Sequence, residues 1–201
     1  MTQDTPSGPR RGALVVLGVT VLCVLAIDLL TKQLALSGLV DGKRVRLLGG
    51  AVWFDLTRNS GAAFSIGAGF TWVFPLIAIV VMGAILYLAR RLRSTPWALS
   101  LGLILGGAMG NFIDRLFRAP GPLQGHVVDF ISVFAPAGER FPIFNAADSA
   151  LFCGVVLAII LEFTGRRRDG TRVVTTPDRP TAATPAGVRD SQRDEPRKSS
   201  G

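Results

Sequence analysis

Two carboxylates stand among apolar neighbours late in the chain: Asp129 in "HVVDFISVF" and Asp148 in "FNAADSALF". Two carboxyls brought close together in a low-dielectric setting cannot both ionise easily, so one keeps a proton near neutral pH while the other acts as a base. Attack of water on an amide needs that division of labour. One acid takes a proton from water, and the other gives one to the carbonyl oxygen or the leaving nitrogen. Helix capping accounts for at most one of the pair: Asn145 suits a cap, and Asp148 suits the positive end of the helix that follows. Ser65 and Ser149 have no base in prospect except the lone His126, so a Ser–His arrangement does not compete. On residue chemistry alone, an aspartyl hydrolase and a proton-coupled transporter both stay open.

Other polar residues fall at the same level as this pair. Asp28 and Lys32 are spaced i, i+4, hence on one helix face, and make either an interfacial ion pair or part of a site. Asp114 and Arg115 are neighbours that point in different directions on a helix and so find partners on other segments; Arg115 could equally be a snorkelling anchor. Asn111 precedes them, and Arg58 to Ser65, "RNSGAAFS", feeds the second apolar run. His126 reads as a loop hydrogen-bonder. Cys23 and Cys153 lie in apolar helices and read as small packing residues. A single His with no Cys or His cluster argues against a metal site, and no glycine run has phosphate-binding spacing, so no metal or cofactor is expected. Gly106, Gly107 and Gly110 instead suit close helix packing.

The elements that must position these groups are membrane helices. The chain has 201 residues, 49% of them hydrophobic, and a mean hydropathy of +0.42, more apolar than a soluble domain of this size. Four apolar stretches predict an all-α membrane protein with helices over about 12–32, 70–90, 96–116 and 145–164, each near the ~20 residues a span requires. The competing reading of the first stretch, a cleaved signal peptide, lacks a convincing processing site. Arginines at 10 and 11, at 90, 91 and 93, and at 166 to 168 flank the helices and predict both termini in the cytoplasm. Asp28, Asn111, Asp114, Arg115, Asp129, Asn145 and Asp148 then gather at one outer rim. Residues 1–11 form a cytoplasmic N-terminus. Residues 166–201 carry nine basic and five acidic residues without apolar periodicity, which predicts a disordered cytoplasmic tail drawn to the anionic inner leaflet. The net charge of +8 comes with no folded basic face carrying interleaved aromatics, so no nucleic-acid partner is expected.

Five motifs in order give the chain a family resemblance: "DLLTK" (28–32), "NSGAAFS" (59–65), "GGAMGNFIDRL" (106–116), "HVVDF" (126–130) and "FNAADS" (144–149). With four helices around them, over residues 12–165, they resemble the lipoprotein signal peptidases (signal peptidase II), bacterial inner-membrane aspartyl proteases. The resemblance implies an endopeptidase that removes the signal peptide from diacylglyceryl-modified prolipoproteins, cutting just before the lipidated Cys. The catalytic dyad would fall on Asp129 and Asp148. Asp28, Lys32, Asn59, Gly61, Asn111, Asp114, Arg115 and Asn145 would bind substrate or shape the site. A small extracytoplasmic β-sheet, a cradle, is implied between helices one and two, and "KRVRLLGGAVWFDLTRN" alternates suitably around a Gly-Gly turn. The implied setting is the bacterial cytoplasmic membrane with the active site at its outer face. A monomer is expected among phospholipids, with inhibition by globomycin-type cyclic peptides.

Overall fold

A computed structural model describes residues 9–61 and 71–172. Residues 62–65 of the "NSGAAFS" motif, Phe70 at the expected start of the second helix, the first eight residues and the tail from 173 onward lie outside the described residues. Four α-helices appear: α1 (Arg11–Gly38), α2 (Val73–Ala89), α3 (Thr95–Phe117) and α4 (Ala146–Phe163). Three strands form one antiparallel sheet in the order β1 (Val45–Leu47), β2 (Val52–Asn59), β3 (Val127–Val133). α1, α3 and α4 are long and apolar enough to cross a membrane; α2 is shorter, with 17 residues described.

α1 runs six residues past the expected end near Lys32, to Gly38. Its buried positions are Ala13, Leu17, Val21, Val24, Asp28, Lys32 and Ala35. That spacing is a single helical stripe, and the two charges occupy its last turns. Asp28 and Lys32 therefore face the neighbouring helix rather than lipid, whereas Val15, Leu22, Leu30 and Leu34 point outward and are exposed. α2 and α3 each carry a proline, Pro75 and Pro96, in the first turn, where the missing N–H costs no helical bond.

α3 is the central helix because its glycines let both neighbours approach. A Cβ on Gly106 would lie 2.8 Å from Val24 of α1, and one on Gly107 would lie 2.4 Å from the Ala147 carbonyl of α4. Gly110 sits between the two, against Asp28 and Ala147. Small residues here do the packing expected of them. Cys23 and Cys153 do not: both are exposed on outward helix faces rather than packed between helices, where a small apolar side chain meets its surroundings without cost.

The expected hairpin forms, with Val45 opposite Phe54 and Leu47 opposite Val52. Leu48, Gly49 and Gly50 all turn with positive φ. The third strand comes from elsewhere. β3 contains the "HVVDF" motif and pairs with β2 from Val52↔Val133 to Asn59↔Val127, with an irregularity between Phe54 and Thr57. The sheet thus joins the α1–α2 connection to the α3–α4 connection, and is not built from the first alone. Val128 and Phe130 pack with Ala35 and Leu39 at the end of α1.

A second departure lies past α4. Arg166 to Arg172, expected as the start of a disordered tail, fold into a tight turn: Arg166 and Arg172 bridge, Arg167 N–H donates to the Thr171 carbonyl, and the Trp97 indole donates to the Arg166 carbonyl at 2.7 Å.

Candidate functional site

β3 and α4 are brought together by a short return. After β3 the chain turns at Pro136–Gly138 and comes back so that Phe144 pairs with Ile131, exchanging N–H···O bonds of 2.9 and 2.8 Å. This sets Asn145 beside Asp129, and the Asn145 Nδ2 donates to Asp129 Oδ1 at 2.7 Å. The other Asp129 oxygen accepts from Asn59 Nδ2 at 2.9 Å. Asn59 reaches it diagonally across the ladder, since Thr57 is the residue directly opposite Asp129. The Asn59 amide cannot turn over, because its Oδ1 already accepts the Gly61 N–H at 2.7 Å. Gly61 adopts φ +86°, and a Cβ there would meet the Phe74 ring at 2.5 Å, so only glycine suits the position.

Asp148 enters through the cap of α4. The Asn145 side chain accepts from the Asp148 N–H at 2.9 Å, and Asp148 Oδ2 accepts from the Asn145 N–H at 3.1 Å. This is a reciprocal capping box with an Asp in the third helical position. Asp148 is thus part of the cap together with Asn145, where a cap on Asn145 alone was expected. Its remaining oxygen, Oδ1, accepts from Asn111 Nδ2 at 2.7 Å.

Asn111 is held in that orientation from behind. Its Oδ1 accepts from Lys32 Nζ at 3.2 Å and from Asn145 Nδ2 at 3.1 Å, so Nδ2 has to face Asp148. Lys32, fully buried, spends its three protons on Asn111, on Asp28 at 2.7 Å and on Asp114 at 2.9 Å. Asp28 accepts the Ala147 N–H with its other oxygen, which ties α1 to the first turn of α4. Asp114 also binds Arg118 and the Val128 N–H, which ties α3 to β3. Two cations meet two carboxylates, so the cluster is neutral overall, as a buried ionic group must be.

Asn59, Asn111, Arg115, Asp129 and Asp148 line a cleft of about 260 Å³ whose other walls are apolar, among them Phe74, Ile77 and Val81 of α2 and Leu151 of α4. Arg115 stacks over Phe74, 4.8 Å from the ring centre, and its Nη1 is buried with no partner among the described residues. Among the described residues, then, Arg115 brings to the cleft lining a guanidinium with unused hydrogen-bonding capacity. Asp129, only 2% exposed, has its pKa raised from 3.8 to about 6. Burial is the main cause; the Asn59 hydrogen bond opposes it, and the charge of Asp148 adds to it. Both Asp129 oxygens already accept amide protons, so the raised pKa puts a proton on a lone pair that remains. The arrangement offers one carboxyl able to carry a proton, a second beside it, and the Arg115 cation, all on one apolar-walled cleft.

All ten residues expected at the site therefore belong to one connected network or its lining. Phe74, Arg118 and the Asp55–Arg44 pair were not anticipated. Arg118 stands i, i+4 from Asp114, a spacing that could have revealed it. Phe74 sits in an uninterrupted apolar run with nothing to single it out. Asp55, buried at the sheet, pairs with Arg44 at 2.8 Å and accepts the Ala137 N–H, bracing the return that delivers Asn145.

Comparison with known proteins decides among the chemistries such a cleft permits. The profile of the family described as "Signal peptidase (SPase) II" matches residues 20–164. The chain belongs to the signal peptidase II family. The lipoprotein signal peptidase of Rhodococcus jostii is 51% identical over 149 residues, 74% of this chain and 73% of that one. That of Mycobacterium bovis is 49% identical over 162 residues, 81% of this chain and 77% of its own length. A bacterial membrane enzyme solved by the in meso method superposes with a TM-score of 0.63 at 31% identity, over 78% of this chain and 96% of that one. A member of this family is a peptidase of the membrane, and the transporter reading has no support.

Proposed function

We propose that this signal peptidase II is an aspartic endopeptidase that removes the signal peptide from diacylglyceryl-modified prolipoproteins, cutting just before the lipidated Cys. The observation that carries the mechanism is Asn145, whose side chain holds Asp129 and whose backbone holds Asp148. One residue thus keeps two carboxyls on the same cleft without neutralising either with a cation.

Asp148, as base, takes a proton from a water molecule while the water oxygen bonds to the scissile carbonyl carbon. Asp129, as acid, gives its proton to the carbonyl oxygen. The tetrahedral diol then collapses: the C–N bond breaks, the amine of the Cys leaves with a proton from Asp148, and the diol hydroxyl returns its proton to Asp129. The Arg115 guanidinium, part of the cleft lining, supplies a donor to a substrate carbonyl. Lys32, Asp28, Asp114 and Asn111 act behind the cleft by fixing amide orientations.

The peptidase unit spans residues 12–165 with four membrane crossings, α2 included, between an N-terminal segment of residues 1–11 and a tail from 166. The arginines near 10, 90 and 166 all lie at the end away from the cleft, and this supports termini in the cytoplasm, with the sheet and carboxyls at the outer face of the bacterial cytoplasmic membrane. A monomer is sufficient, since one chain supplies every group named. The apolar walls of the cleft suit a signal-peptide helix, and globomycin-type cyclic peptides would compete there.

The test is incubation of the purified protein with a diacylated lipobox peptide, with products weighed by mass spectrometry. Asp129→Asn and Asp148→Asn should each lower cleavage by about a thousandfold, within the range set by loss of a general acid or base. Cleavage near the native rate by either variant, at equal folded protein, would overturn the dyad.

A further inference from the structure

The end of the bundle farthest from the carboxyl cleft holds a second opening, an open cleft of about 630 Å³ lined by Tyr87, Arg90, Arg91, Arg167 and Arg168, with Glu162 and Asp169 among them. Its lining comes from two chain segments, 87–91 and 162–169, held by backbone bonds just beyond them, with the residue before α1 joined to the first. Arg10 N–H donates to the Leu92 carbonyl at 3.0 Å, and the Arg93 and Ser94 N–H groups both donate to the Arg168 carbonyl, at 2.9 and 3.0 Å. The turn after α4 is equally determined: Gly170 takes φ +89°, and the Asp169 carboxylate accepts both the N–H and the hydroxyl of Thr171. Arg168 lies over the Trp97 ring at 5.4 Å, and the Trp97 indole holds the Arg166 carbonyl.

Four arginines line one opening against two carboxylates, Glu162 and Asp169, so the lining keeps a net positive charge. Like charges gathered in this way repel, and guanidinium forks match phosphate oxygens in geometry as well as charge. The opening also sits at the ends of apolar helices. Beside it the outward faces of α2 and α4 present Leu86, Tyr87, Ile160 and Phe163, all exposed, with Phe163 at 90%. A free phosphate would use the arginines but not this greasy flank; a phospholipid would use both.

We infer that this cleft is a binding site for the phosphate headgroup of an anionic phospholipid, with the acyl chains lying along α2 and α4. The site needs only that the chain is embedded in a membrane, whichever side this end faces. It lies apart from the peptidase cleft.

The full chain, purified in a neutral detergent, is examined by native mass spectrometry with added phosphatidylglycerol or phosphatidylcholine. The wild-type protein should retain phosphatidylglycerol about tenfold more strongly, as expected of a basic pocket at a helix end. Arg91→Gln with Arg167→Gln should abolish the preference, while removal of two exposed charges at the other end, Lys43→Gln with Arg140→Gln, should keep it. Arg90→Gln alone should weaken it, and serves if the double variant does not fold. Equal retention of the two lipids, equal loss in both double variants, or displacement of the lipid by millimolar inorganic phosphate would each overturn the site. Peptide cleavage in detergent should be unchanged in Arg91→Gln/Arg167→Gln, so failure of the lipid site leaves the peptidase reading untouched.

Discussion

Asp129→Asn should make the protein more stable at alkaline pH while it stops cleavage, and the pH dependence isolates the reason. Burial lifts the Asp129 pKa from 3.8 to about 6. Between those values the folded protein holds a proton that the unfolded chain has released. Stability contributed by a group whose pKa is raised on folding is complete below the unfolded value and is lost as pH rises through the folded one. By pH 8 the ionised, buried carboxylate therefore costs about 3 kcal/mol relative to acid well below the unfolded pKa. The amide of the variant has nothing to ionise and escapes that loss. It meets a different penalty: Asn59 and Asn145 both point NH₂ groups at the Asp129 oxygens, so an amide there turns its own NH₂ against one of them. One lost bond costs about 1–2 kcal/mol at every pH. The variant should then lie below the wild type at pH 4, cross it at about pH 5, and exceed it by roughly 1–2 kcal/mol at pH 8. Denaturant unfolding in mild detergent, followed across this range, measures both curves. Parallel curves would show that burial does not hold the Asp129 proton, and the acid role assigned to it would go with them.

Three further outcomes follow from the same network. Asn59→Ala removes the strongest hydrogen bond opposing protonation of Asp129, so the alkaline limb of the kcat/KM–pH profile should move upward from near 6; a static or lowered limb would contradict the proposed cause. Lys32→Met leaves Asp28 and Asp114 facing each other across a dry space and should destabilise the fold by about 3–5 kcal/mol in thermal unfolding, with part of the loss recovered by adding Asp28→Asn. Gly107→Ala would drive a methyl against the Ala147 carbonyl. A cost of about 1–3 kcal/mol and a fall in cleavage should appear together, since α3 and α4 carry Asn111 and Asp148.

How legible this was depended on whether the partner lay nearby in the chain. Asp28 and Lys32 declared one face by their spacing, and Asn145 declared a cap by standing before an apolar run. Asn111 did not declare its amide orientation, which depends on Lys32 in α1 and Asn145 before α4 at once. β3 gave no strand signal because Val127 through Phe130 are all buried, and a strand without alternation has no period to detect. The turn from Arg166 to Arg172 looked like tail for the opposite reason: its composition is that of disorder, while its order comes from the Trp97 indole and from backbone donors at Arg93 and Ser94.

The long reach of these bonds sets a schedule for biosynthesis. Asn59 and Asp129 are 70 positions apart, and Asp28 finds the Ala147 N–H across 119. While the ribosome is still making the third helix, Asp129 and Asp148 are not yet in the chain; the β2 edge is open and Asp28 lacks its distant backbone partner. Closing such long loops is slow compared with forming helices. The proposed dyad is therefore among the late contacts of the molecule, and a chain released before α4 lacks both Asn145 and Asp148.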